Sequence, residues 1–168
     1  MDPTLASGLF GYTAPATGND PAAAIALLKR ATAPGAEAKG VAREKKDPAV
    51  ITALAQFDKA LAQAKDLKSA LGDPRVMNVL LPALGMADAN PGLAQRALLA
   101  DPDDKHGLLS KIDGKWKTAA ETLGLFGQDI AALRDPALGQ TMRDGYIAYH
   151  YQKGLDAQQP GMSDALYF

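Results

Sequence analysis

Seven of the eleven prolines in this chain directly follow an acidic or amide residue: Asp2-Pro3, Asp20-Pro21, Asp47-Pro48, Asp73-Pro74, Asn90-Pro91, Asp101-Pro102 and Asp135-Pro136. Asp or Asn in front of a helix accepts a hydrogen bond from a backbone N–H that the first turn leaves without a partner. Proline, with its φ preset and no N–H to lose, suits the first helical position. A chain punctuated in this way is predicted to fold as a series of short, separately capped helices. Asp2-Pro3 is the exception, because no amphipathic run follows it.

The apolar spacing fills in the segments between these starts. Residues 1–19 are rich in Gly, Thr, Ala and Pro and are expected to form a mobile tail. A helix is predicted from Pro21 to about Ala33, with Ile25 and Leu28 on one side, broken at Pro34-Gly35. Residues 36–46 are helix-prone, mixed in charge and poor in large apolar groups, the pattern of an exposed helical linker. From Pro48, the positions Val50, Leu54, Phe57 and Leu61 recur at helical spacing up to about Ala64. Asp66 is expected to cap a short piece holding Leu67 and Leu71.

Asp73-Pro74 opens the most apolar segment, from Val76 to Leu84, with large residues all around the helix, which implies burial on more than one side. Pro82 lies inside it and is expected to kink the last turn. Further helices are predicted over Pro91–Leu99, Asp103–Ile112 and Gly114–Leu123. Leu84-Gly85-Met86 and Leu123-Gly124-Leu125 both read as Schellman stops, in which a left-handed glycine ends the helix. They are a shared terminator and no internal repeat. A brief piece at Ile130–Leu133 precedes a long final helix carrying Leu138, Met142, Tyr146 and Tyr149 and reaching about Leu155. Residues 163–168 could begin another.

No segment alternates apolar and polar residues over more than four positions, so no strand is predicted. The fold class is all-α: a compact bundle of about seven to eight short helices, with residues 20–168 as a single helical domain behind the N-terminal tail.

Composition removes several function classes. There are no cysteines, which excludes disulfides, thiolate metal sites and a cysteine nucleophile. Eighteen basic and nineteen acidic side chains leave a net charge of −1, without the basic surplus that displaces counterions from nucleic acid. No apolar run nears the roughly 20 residues that span a bilayer, so no membrane insertion is expected. The start Met1-Asp2-Pro3-Thr4 lacks the basic and apolar regions of a secretory signal, which predicts a cytoplasmic protein or one exported without the Sec route.

The candidate chemistry is sparse. His106 is placed near Asp103 and Asp104, without metal-ligand spacing, and reads as a surface residue. Tyr146, Tyr149 and His150 fall on one helical side and form the one candidate for a ligand or partner contact, either a small polar-aromatic pocket or packing between helices. Glu37, Glu44 and Glu121 are the only glutamates and lie apart, and most aspartates are explained as caps, so a catalytic carboxylate pair is not expected. No serine sits in a nucleophile elbow and no glycine-rich phosphate loop is present. Lys39, Arg43, Lys45 and Lys46 are offset by Glu37, Glu44 and Asp47 and read as a solvated face. Trp116 repeats with Ala119, Ala120 and Leu123 as a core position. No catalytic residue, metal or cofactor is implied.

Several pieces occur in a telling order: Asp47-Pro48-Ala49-Val50, the helix through Phe57, Asp66-Leu67, Asp73-Pro74-Arg75-Val76-Met77, Ala83-Leu84-Gly85-Met86, Ala97-Leu98, Asp101-Pro102, and Ala120 through Leu125. The closing Asp164-Ala165-Leu166-Tyr167-Phe168 belongs with them. In this the chain resembles a bacterial domain-of-unknown-function family, number 1217. The resemblance implies a mainly alphaproteobacterial protein associated with flagellar genes, and hence a role in flagellar structure, assembly or export through protein partners, possible flagellar components among them. It brings no catalytic residues. Pro82 departs from the family pattern, which has an ordinary helix former there.

Overall fold

In a computed structural model, residues 21–158 and 160–167 are described. The predicted tail at residues 1–19 lies outside them. Among the described residues there are ten helices and no strand: α1 (Pro21–Ala31), α2 (Ala36–Glu44), α3 (Pro48–Gln63), α4 (Leu67–Gly72), α5 (Pro74–Ala83), α6 (Pro91–Leu98), α7 (Gly114–Leu123), α8 (Ile130–Leu133), α9 (Pro136–Gln158) and α10 (Met162–Tyr167). The protein is all-α.

The caps explain why these helices begin where they do. The Asp47 carboxylate accepts the N–H groups of Ala49 and Val50, at 2.7 and 3.4 Å. Asp135 does the same for Ala137 and Leu138, at 2.7 and 3.3 Å. Asn90 accepts from the Leu93 N–H at 3.0 Å. Asp73 accepts the Arg75 N–H at 2.8 Å and also takes the Arg75 guanidinium through both its oxygens. Asp66 and Ser69 form a reciprocal capping box across the first turn of α4. Helices without proline use the same device: Asp113 caps α7 and Asp129 caps α8.

Two expectations need correction. Asp101-Pro102 does not open a helix, and residues 103–112 form turns rather than the predicted helix. Here the aspartates fold the backbone on itself. Asp101 accepts the Asp103 N–H and Asp104 accepts the His106 N–H, each at 2.9 Å, so both carboxylates stabilise local turns that compete with helix. A Cβ on Gly107 would come within 2.8 Å of the Asp104 carboxylate, so a side chain there would have to displace that carboxylate. Leu109 is buried and anchors the segment.

The second correction concerns the glycine stops. Gly85, at φ 73°, closes α5 as a full Schellman motif, with Met86 N–H donating to the Leu81 carbonyl at 2.8 Å and Gly85 N–H to that of Pro82 at 3.0 Å. Gly124, at φ 58°, ends α7 with the simpler left-handed motif, its N–H donating to the Ala120 carbonyl at 2.8 Å. Pro82 sits in the last turn of α5 and the helix continues only one residue past it.

The described residues form two compact units. The larger runs from Arg43 to His150, and the smaller joins residues up to Ala42 with those from Tyr151 onward. In the larger unit α5 packs on both α3 and α4, α4 also meets α6 and α8, and α6 lies on α7. Val76, Val79 and Leu80 of α5 are fully buried, together with Val50, Phe57, Leu71, Leu98 and Leu133 from the surrounding helices. The all-round apolar character of α5 thus reflects its central place. The first half of α9 closes this unit at Gly145, where a Cβ would lie 2.8 Å from the Ala83 carbonyl oxygen.

In the smaller unit α1 meets α10. Gly40 of α2 lies against the ring of Tyr151, so closely that a Cβ there would overlap the ring. The Asp156 carboxylate accepts both the N–H and the hydroxyl of Ser163, at 2.9 and 2.5 Å, tying the end of α9 to the start of α10. As expected for residues 36–46, α2 contains no buried residue.

Candidate functional site

The three sequence-selected residues come together on α9. The Tyr146 and His150 ring centroids are 4.6 Å apart and tilted by 59°, and Tyr149 meets His150 edge-on at 5.7 Å. Helical spacing of four brings the Tyr146 and His150 rings together, and spacing of three sets Tyr149 on the same side as Tyr146. Tyr146 is buried at 7% exposure, whereas Tyr149 and His150 are half-buried. Burial, then the nearby Tyr149 and Asp47, push the Tyr146 hydroxyl above its ordinary value, because each disfavours a phenolate. The cluster is therefore a ledge with one ring rooted in the core and two rings at the surface.

A second feature was invisible in the sequence. Arg134, in the junction between α8 and α9, reaches back to the C-terminal end of α3. Its guanidinium donates to the Leu61 carbonyl at 3.0 and 2.8 Å, to that of Ala62 at 3.2 Å and to that of Ala64 at 2.7 Å. The last turn of any helix leaves carbonyls without partners and carries partial negative charge, so a planar cation with several donors satisfies both needs. One turn further along, Arg143 of α9 pairs with Asp58 of α3. Between these two arginines lies a cleft of ≈ 220 Å³, walled by Phe57, Leu61, Leu133, Pro136 and Gly139. No local pattern signals Arg134, because its partners are about seventy residues away in the chain.

Another cleft, of ≈ 360 Å³, opens between the segment after α5 and the start of α7. Met86, Leu93 and Trp116 form its apolar floor, and Asp88, Asp113 and Lys115 its rim. Trp116 is buried at 7% exposure, as its spacing predicted, and shows one edge in this cleft.

The remaining candidates stay apart. His106 is exposed on the 101–113 turns, and Lys39, Arg43, Lys45 and Lys46 are all exposed. Among the described residues, no three His, Asp or Glu side chains converge in a way that could hold a metal ion. The carboxyls of Asp66, Asp73 and Asp156 are held below their ordinary range by hydrogen bonds from Ser69, Arg75 and Ser163 respectively. A general acid needs the opposite shift. Among the described residues, no helix is long and apolar enough to cross a membrane.

The fold and this site define a small all-helical protein in which six aspartates, Asp47, Asp66, Asp73, Asp113, Asp129 and Asp135, cap helices and whose two clefts described above mix apolar and charged side chains. The family model described as "Protein of unknown function (DUF1217)" matches residues 83–168, half of the chain, and the chain belongs to that family. The matched stretch runs from the end of α5 onward, so the pieces from Asp47 to Met77 lie outside it. No curated protein and no solved structure matches the chain.

Proposed function

We propose that this protein is a non-enzymatic helical module that works through protein contacts in bacterial flagellar structure, assembly or export. The observation that carries the reading is family membership over residues 83–168, which include α9 and its aromatic ledge. The flagellar setting and the alphaproteobacterial range are what that resemblance implies. Six aspartates of the larger unit support the non-enzymatic part, since Asp47, Asp66, Asp73, Asp113, Asp129 and Asp135 are each engaged in capping a helix. Tyr149 and His150, half-buried on the ledge, are the residues proposed to meet the partner. A protein of this kind works in the cytoplasm or reaches the flagellum without the Sec route.

Deletion in a motile host, followed by swimming assays and fractionation of cytosol and flagella, tests the reading. Loss of motility, restored by wild-type protein and poorly by a His150→Ala variant, is the expected result. Unchanged swimming with the protein confined to the cytosol would remove the flagellar assignment.

A further inference from the structure

Trp116, the only tryptophan of the chain, carries a donor that the fold leaves without a partner. Its side chain is 7% exposed, and among the described residues no acceptor meets the indole N–H. A buried donor with no acceptor is rare in folded proteins and costly. The part of the ring that is not buried opens into the cleft between the segment after α5 and the start of α7. The N–H therefore belongs to that edge, where a group from outside the chain can accept its hydrogen.

Two charged side chains on the same cleft are also unengaged. Asp88, in the segment after α5, and Lys115, in the first turn of α7, are both exposed. Among the described residues neither side chain has a hydrogen-bond or ion-pair partner. Asp113 differs, because its carboxylate accepts the Lys115 N–H at 2.9 Å as the cap of α7. A cleft of ≈ 360 Å³, at the small end of ligand sites, thus combines a cation and a neutral donor from α7, a free anion from the segment after α5, and the apolar floor of Met86 and Leu93.

We propose that this cleft binds a free apolar α-amino acid as its zwitterion. The ligand carboxylate accepts from the Trp116 N–H and pairs with the Lys115 ammonium, two neighbouring donors at the positively polarised start of α7. The α-ammonium pairs with Asp88, and the aliphatic side chain lies on Met86, Leu93 and the indole. Charge decides between this ligand and simpler ones. Two aspartates against one lysine leave the rim at a net −1, so a plain carboxylate meets repulsion. A plain amine leaves Lys115 and the indole N–H without an acceptor. A zwitterion answers both. The site shares no residue with the aromatic ledge and does not depend on the flagellar reading.

The single indole gives the site its own reporter in NMR spectra of the full, isotope-labelled chain. In the free protein its N–H should exchange readily with water. L-leucine, titrated to about 20 mM, should shift that resonance and slow its exchange, with a Kd on the order of 1 mM for so small a ligand in an open cleft. Leucinamide lacks the carboxylate and N-acetyl-L-leucine lacks the ammonium, so each should bind about tenfold more weakly or worse. Asp88→Asn and Lys115→Gln alter exposed side chains, leave the fold intact, and should each weaken leucine binding about tenfold. An indole resonance indifferent to leucine at the highest concentration overturns the proposal. So does either analogue binding as well as leucine, an affinity unmoved by either variant, or an indole N–H already shielded from water in the free protein.

Discussion

Arg134 and Leu61 are joined by two hydrogen bonds from one guanidinium to one carbonyl, at 3.0 and 2.8 Å, across a sequence separation of 73 residues. The contact closes the exposed end of α3 with a side chain from the α8–α9 junction. It therefore couples a local need, the unpaired carbonyls of a helix end, to the placement of a distant segment. Replacing Arg134 with Ala should cost about 1–3 kcal/mol, the range for charge-assisted bonds and helix-end cations. Lys should recover only part, because one ammonium cannot serve three carbonyls in a fork. Urea unfolding midpoints at constant m-value measure this, and a cost below about 0.5 kcal/mol would mean that the bonds are not maintained in solution.

Gly145 and Gly139 lie six residues apart on α9 and should respond to alanine with opposite signs. At Gly139 the new methyl meets nothing, and gains of about 0.5–1 kcal/mol follow from the helix propensity of alanine. At Gly145 it would press on the Ala83 backbone, with a cost of about 1–3 kcal/mol despite the same propensity gain. Thermal or urea denaturation of the two variants side by side reads the signs directly.

Acid should weaken the fold through its caps. Asp66, Asp73 and Asp156 titrate below 3.8 in the folded protein, so the unfolded chain binds protons first as pH falls. Their contribution is complete above that value and disappears as pH drops through the lower folded values. Asp66→Asn keeps a capping oxygen without the titration. It should flatten the fall in stability below about pH 4, as followed by urea midpoints between neutral and acid pH.

Alkali should act through Tyr146. Its hydroxyl titrates above the ordinary 10.0 because the phenolate would be buried. The unfolded chain thus releases this proton first, and stability is lost as pH rises from 10.0 through the folded value. Tyr146→Phe keeps the ring and removes the titration, so its alkaline stability curve should be flatter than that of the wild type. Identical curves would place the phenol in contact with water.

Much of the architecture could be read from local chemistry. Asp47-Pro48, Asp73-Pro74, Asn90-Pro91 and Asp135-Pro136 each start a helix because cap and first turn lie within four residues. The ring cluster on α9 was also legible, since helical spacing alone brings Tyr146, Tyr149 and His150 together. Asp101-Pro102 failed because the same carboxylates that cap helices also stabilise turns, and Asp101 and Asp104, accepting the Asp103 and His106 N–H groups, tipped that local competition. Ile25, which spacing sets with Leu28 on one side of α1, is 54% exposed.

By itself the sequence determined where most helices begin and end, their apolar faces, and the absence of cysteine chemistry, because each depends on neighbours within a turn or two. The tertiary structure alone decided that Arg134 would close α3, that Gly145 would admit the Ala83 backbone while Gly139 opened onto a cleft, and that Phe126 would face solvent beside a buried Leu125. Those outcomes depend on which distant surfaces meet, and burial or exposure is a property of the packed chain that no run of adjacent residues contains.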